Sequence, residues 1–114
     1  MSFYLEASLP AYPDFLETIQ DLLKQAYLCV GFPENEASDM ADGIAGVVGV
    51  GLSGTSPGRQ IRLRFRREGD RFHVDVGAEH LPAAPASVAF IDQVSVHREG
   101  PRTMHRFTRE LPRS

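Results

Sequence analysis

Ile61, Leu63 and Phe65 stand two apart with Arg62, Arg64 and Arg66 between them, and beyond Glu68-Gly69-Asp70 the alternation resumes as Phe72, Val74 and Val76 around His73 and Asp75. A period of two places apolar side chains on one face and charged ones on the other, as half-buried strands require. The Glu-Gly-Asp step has turn chemistry, so the two runs form an antiparallel hairpin with the arginine row facing His73 and Asp75 across the ladder. One face of that hairpin must be covered, and the rest of the chain has to supply the cover.

Two helical patterns are available for this. Pro13 and Asp14 suit a helix start, Phe15, Ile19, Leu22, Leu23, Ala26 and Val30 recur on one helical face, and Gly31 is a stop. Pro33 opens the second pattern, with Glu34 and Glu36 in its first turn and Ala37, Met40, Ile44, Val47 and Val48 as its stripe. Gly43, Gly46, Gly49 and Gly51 in it each cost about 1 kcal/mol relative to alanine; close packing against a sheet is the expected reason, and fraying the alternative. Further strands are read at residues 2–9, ended by Pro10, and in a second hairpin, 94–98 and 103–111, turning at Glu99-Gly100-Pro101. Residues 53–58 read as a loop, 82–87 as a proline-rich connector and 88–92 as a short helix. The expected fold is α+β: a two-layer sandwich with a mixed, mostly antiparallel sheet and helices on one face, in a single domain over residues 1–114.

Charge divides the 114 residues. Residues 1–57 carry one lysine against eight carboxylates, and residues 58–114 eleven arginines against seven. The whole is acidic at −3 and no aromatic-interleaved basic motif occurs, which argues against nucleic acid. The single Cys29 sits in an apolar stretch and is expected to pack as a reduced thiol. With neither a membrane-length apolar run nor a signal-like N-terminus, the expected location is the cytoplasm.

Gly31-Phe32-Pro33-Glu34-Asn35-Glu36, the core positions Met40, Gly43, Ile44, Val47 and Val48, and the ending Ile91-Asp92-Gln93-Val94, Gly100-Pro101 and Thr103 to Leu111 carry a resemblance. Together with the element order, they look like the ATPase and kinase domain of bacterial anti-sigma factors, in the GHKL superfamily that includes histidine-kinase catalytic domains. The resemblance implies the histidine-kinase-like ATPase fold. It also implies a helix carrying a Glu and, four residues on, a magnesium-binding Asn; here Gly46 and Val50 occupy those positions. Neither side chain can activate a hydroxyl or ligate a hard cation.

The adenine-reading Asp-x-Gly falls on Ala78 and His80, and the glycine-rich lid has no counterpart in Leu81 to Ser87. A shifted register would use Asp75 and Gly77, at the cost of breaking the alternation of β-strand faces. The reading is a degenerate relative without catalytic, cofactor or metal residues: a pseudo-kinase that acts by binding protein. A sigma factor, an anti-sigma-factor antagonist or a second copy is the implied partner. The alternative is a residual serine-protein kinase that binds Mg-ATP through Asp75 and Gly77.

Other motifs are weaker. Gly49-Val50-Gly51-Leu52-Ser53-Gly54 spells a dinucleotide fingerprint, but a helix precedes it and a strand follows, the reverse of what that loop needs. His97 and His105 would lie opposite each other if the last turn centred on Pro101, though no third ligand is placed by spacing. Ser53, Thr55 and Ser56 are turn hydroxyls without a base. Arg62, Arg64 and Arg66 are either a solvated sheet face or a docking surface for an acidic partner.

Overall fold

The computed structural model describes residues 4–52, 59–78 and 88–112. Five strands and two helices follow one another: β1 (Tyr4–Pro10), a 3-10 turn at Pro13–Phe15, α1 (Leu16–Cys29), α2 (Glu34–Leu52), β2 (Gln60–Glu68), β3 (Arg71–Ala78), β4 (Gln93–Glu99) and β5 (Arg102–Glu110). The sheet order is β1-β2-β3-β5-β4, and every neighbouring pair is antiparallel. The fold is therefore α+β as expected, but the sheet of these five strands is wholly antiparallel rather than mixed.

The covered face is the one the alternation marks. Ile61, Leu63, Phe65, Phe72, Val74, Val76, Ala78 and Phe107 are buried with Ile19, Leu23, Ala26 and Tyr27 of α1 and Ala37, Met40, Ala41, Ile44 and Val48 of α2. Tyr27 joins the layers: its ring packs edge-on against Phe72 at 5.4 Å and Phe32 at 5.6 Å, and Phe72 stacks on Phe65 at 6.4 Å.

Gly31 ends α1 in the left-handed region, at φ 102°. Its N–H donates to Leu28 O and the Phe32 N–H to Tyr27 O, both at 3.1 Å, the paired bonds of a Schellman stop. The same motif accounts for the Tyr27–Phe32 contact, since it brings the residue after the glycine back onto the last turn.

Gly43, Gly46 and Gly49 of α2 do not approach the sheet. Gly43 makes room for Val88, whose Cγ1 would lie 2.5 Å from a Cβ, Gly49 makes room for Leu16 of α1, and Gly46 faces open space. Cys29 is exposed rather than packed. Two residues past buried Tyr27 is about 200° around a helix, which turns the thiol outward.

Residues 88–92 form no helix. The Ile91 N–H donates to Val88 O at 3.0 Å, closing a tight turn that puts Phe90 at φ 65°. Five residues are too few to offset helix nucleation. A non-glycine residue in this region carries about 1–2 kcal/mol of strain, and Phe90 is 42% exposed, so its packing is incomplete. Phe90→Gly relieves that strain but adds about 0.4–1 kcal/mol of unfolded-state freedom, so the urea midpoint is expected to stay unchanged or rise slightly at unchanged slope; a loss of more than about 1 kcal/mol would refute the strain.

The expected loop 53–58, the connector 82–87, His80 and the missing-lid segment lie outside the described residues. No helix among the described residues is long and apolar enough to cross a membrane.

Candidate functional site

The polar face of the sheet, opposite the helices, is where the charge concentrates. The strand registers align Glu6, Arg64, Asp75, Arg106 and Ser95 in one row across all five strands. At its centre Asp75 is only 1% exposed. Arg106 donates through Nε to Oδ1 at 2.8 Å and through Nη2 to Oδ2 at 3.1 Å. Arg64 donates to Oδ2 from Nε at 3.1 Å and from Nη2 at 2.9 Å. Burial by itself would raise the Asp75 pKa, but the hydrogen bonds from Arg106 and Arg64 outweigh it and hold the carboxyl below the usual aspartate range.

Arg64 also pairs with Glu99, whose other neighbour is His97 Nε2 at 2.9 Å. The bonds from Arg64 and His97 hold the Glu99 carboxyl at about 2. This ion pair reports the shape of the sheet. In a flat sheet β2 and β4 would be about 14 Å apart, and Glu99 lies a further four residues, about 13 Å, along β4 from the Arg64 row. No arginine and glutamate span that distance, so the β4–β5 hairpin end bends over the polar face. The bend accounts for the burial of Asp75, and for that of Met104, which lies across Gly77 where a Cβ would overlap its sulfur.

Each member of the predicted arginine row already holds a carboxylate: Arg62 with Glu6 at 3.3 Å, Arg64 with Asp75 and Glu99, and Arg66 with Glu68 at 3.3 Å. By register the whole face sets Arg62, Arg64, Arg66, Arg71, Arg102 and Arg106 against Glu6, Glu68, Asp75, Glu99 and Glu110, one charge from neutral. A partner meeting this surface meets a mixed pattern rather than a positive field.

The remaining sequence candidates separate. Asp75 and Gly77 lie on the polar face, whereas the described core of α2 packs on the other. Gly46 and Val50 are on the outer side of α2, where Val50 is 62% exposed, and Ala78 is buried in the core. Gly49 to Leu52 are helical, which removes the strand-then-helix context from the fingerprint. His97 and His105 do not face each other: His97 pairs with Met104 and His105 with Val96, on opposite sheet faces. The turn is Gly100-Pro101 between paired Glu99 and Arg102, and a shift of one residue exchanges faces. No group of three or more metal-ligating side chains is close enough to hold an ion among the described residues.

Two features escape sequence reading. A polar hollow of about 250 Å³ is lined by Arg71, Asp92, Gln93, Thr108 and Glu110, and nearby His73 Nδ1 lies 2.9 Å from Thr108 Oγ1. Its two carboxylates against one arginine suit neither a phosphate nor an apolar ligand. On the helix side, Arg109 stacks 5.5 Å above Phe32 and reaches Glu36 and Asp92, each at 3.3 Å, pinning β5 to α2.

His105 is buried with Nδ1 unpartnered, and desolvation lowers its pKa. Desolvation, followed by Arg106 and Arg66, lowers that of His73. A lowered folded pKa means that the unfolded chain takes up protons first, so stability falls as pH drops below about 6.5. His105→Leu is expected to flatten that decline between about pH 6.5 and 5, measured by urea unfolding at several pH values; an unchanged slope would remove His105 as its source.

No protein-family model matches the chain, and no curated protein does.

Proposed function

We propose that the chain is a protein-binding regulatory domain on a histidine-kinase-like scaffold that has lost ATP binding and kinase activity, with a sigma factor or an anti-sigma-factor antagonist as partner. The observation that carries the reading is the outer side of α2, where Gly46 and Val50 stand one helical turn apart with no side-chain oxygen between them. A magnesium ion needs oxygen ligands and a phosphoryl acceptor needs a base, and these positions supply neither. The order strand, two helices, hairpin, hairpin supports the scaffold. Asp75, the acid that a residual nucleotide site would need, is engaged by two guanidinium groups.

Titration calorimetry with Mg-ATP is expected to give no heat at millimolar nucleotide, whereas micromolar binding would restore the kinase reading. A pull-down from the source cell is expected to retain a sigma factor or an anti-sigma-factor antagonist.

A further inference from the structure

The polar hollow divides its charges between two walls. Arg71 opens β3, Thr108 and Glu110 lie on β5, and Asp92 and Gln93 lead into β4, so the lining comes from one end of three neighbouring strands. β3 and β4 stand two strand spacings apart, about 10 Å, with β5 as the floor between them. The register sets Arg71 opposite Glu110, yet Arg71 is exposed and takes no hydrogen-bond or ion-pair partner among the described residues. Arg62, Arg64, Arg66 and Arg106 of the same face each hold a carboxylate. Asp92, on the opposite wall, is fixed in place: Oδ2 accepts the Glu110 N–H at 2.7 Å and Oδ1 accepts Arg109 Nη1 at 3.3 Å. A carboxylate has about four acceptor sites, so both bonds leave Asp92 capacity for a further donor. Gln93, exposed beside it, adds an amide carbonyl. Thr108 closes the floor, 6% exposed and already engaged with His73.

We propose that this hollow binds a small zwitterion, an amino acid whose carboxylate lies on Arg71 and whose ammonium lies on Asp92 and the Gln93 carbonyl. A guanidinium offers a carboxylate two parallel N–H donors, and an ammonium brings three donors to the acceptors opposite. Arg71 and Arg109 balance Asp92 and Glu110 around the hollow. A ligand of either net charge therefore loses at one wall what it gains at the other, whereas a dipolar ligand gains at both. The hollow, at about 250 Å³, falls below the range of about 300–1,000 Å³ typical of drug-sized ligands, which favours a molecule as small as an amino acid. A peptide chain end carries only one charge of the pair. The site lies on the sheet face away from α1 and α2, so it rests neither on the regulatory reading nor on the nucleotide positions.

NMR titration of the isotope-labelled full chain with L-alanine, β-alanine and γ-aminobutyrate tests it, read at the backbone amides of Asp92, Gln93 and Glu110. Saturable shifts at these amides are expected with at least one of the three, at a Kd of about 10 mM or tighter. The methyl ester of that ligand lacks the carboxylate and its N-acetyl derivative lacks the ammonium; each is expected to bind at least about tenfold more weakly. Arg71→Met gives up no partner within the described chain, so it is expected to keep the fold, checked by circular dichroism, and to weaken binding at least about tenfold. No saturable shift up to about 50 mM of any of the three would overturn the proposal. So would shifts centred away from the hollow, affinity indifferent to Arg71→Met, or inorganic phosphate binding the same amides equally well.

Discussion

Asp75→Ala is expected to cost about 3–5 kcal/mol of unfolding free energy, because it removes one member of a buried charge cluster and leaves the others unneutralised. Four hydrogen bonds converge on this carboxylate from Arg64 and Arg106, whose side chains are themselves mostly covered. Arg64 keeps Glu99 in the variant, but Arg106 is left facing a like charge. Asp75→Leu combined with Arg106→Met is expected to recover much of the loss, since a buried ion pair exchanged for packed apolar groups is often neutral. Urea unfolding of the three proteins decides it; a single variant within about 1 kcal/mol of the parent would mean the cluster is solvated, with the worth of a surface pair.

The same carboxyl sets an acid limit. Its folded pKa lies below the ordinary aspartate value, so its contribution is complete above about pH 4 and is lost as pH falls through the folded value. The Asp75 variant is expected to lack that part of the acid slope.

Phe72→Ala is the second large loss, about 3–5 kcal/mol for a fully buried aromatic that leaves a cavity. Phe72 has no exposed surface and stands between Tyr27 of α1 and Phe65 of β2, so truncation disconnects helix from sheet as well as strand from strand. Phe72→Leu is expected to cost about 1.5 kcal/mol or less, since it retains most of the apolar volume. Equal losses for the two variants in denaturant titrations would show that the edge-on geometry matters more than the filled space.

How far the sequence reveals this molecule depends on the distance over which each feature is decided. The hairpins are legible because their information is local: alternation fixes the faces, and Gly69 and Gly100, both at φ 63°, sit inside recognisable turns. The Gly31 stop is legible for the same reason. His97 and His105 were misaligned because alternation gives the parity of each strand but leaves the register across the turn open by one residue. Asp75 shows the limit most clearly. Its position on the polar face follows from the alternation, yet its burial depends on Arg106, thirty-one residues away, and on a hairpin bend that no periodicity encodes. Of the α2 glycines, Gly43 and Gly49 meet close neighbours, but these are Val88 and Leu16 rather than a strand, and Gly46 meets none.

The sheet order has a consequence for how the chain is assembled as it is made. β4 leaves the ribosome before β5, yet β5 is the strand that joins β3, while β4 ends at the rim. Until β5 has emerged, β3 presents an open ladder and Asp75 has only one of its two arginines. A sheet without β5 is thus open at β3 and holds Asp75 through Arg64 alone, and the hairpin closes both by docking through its later strand.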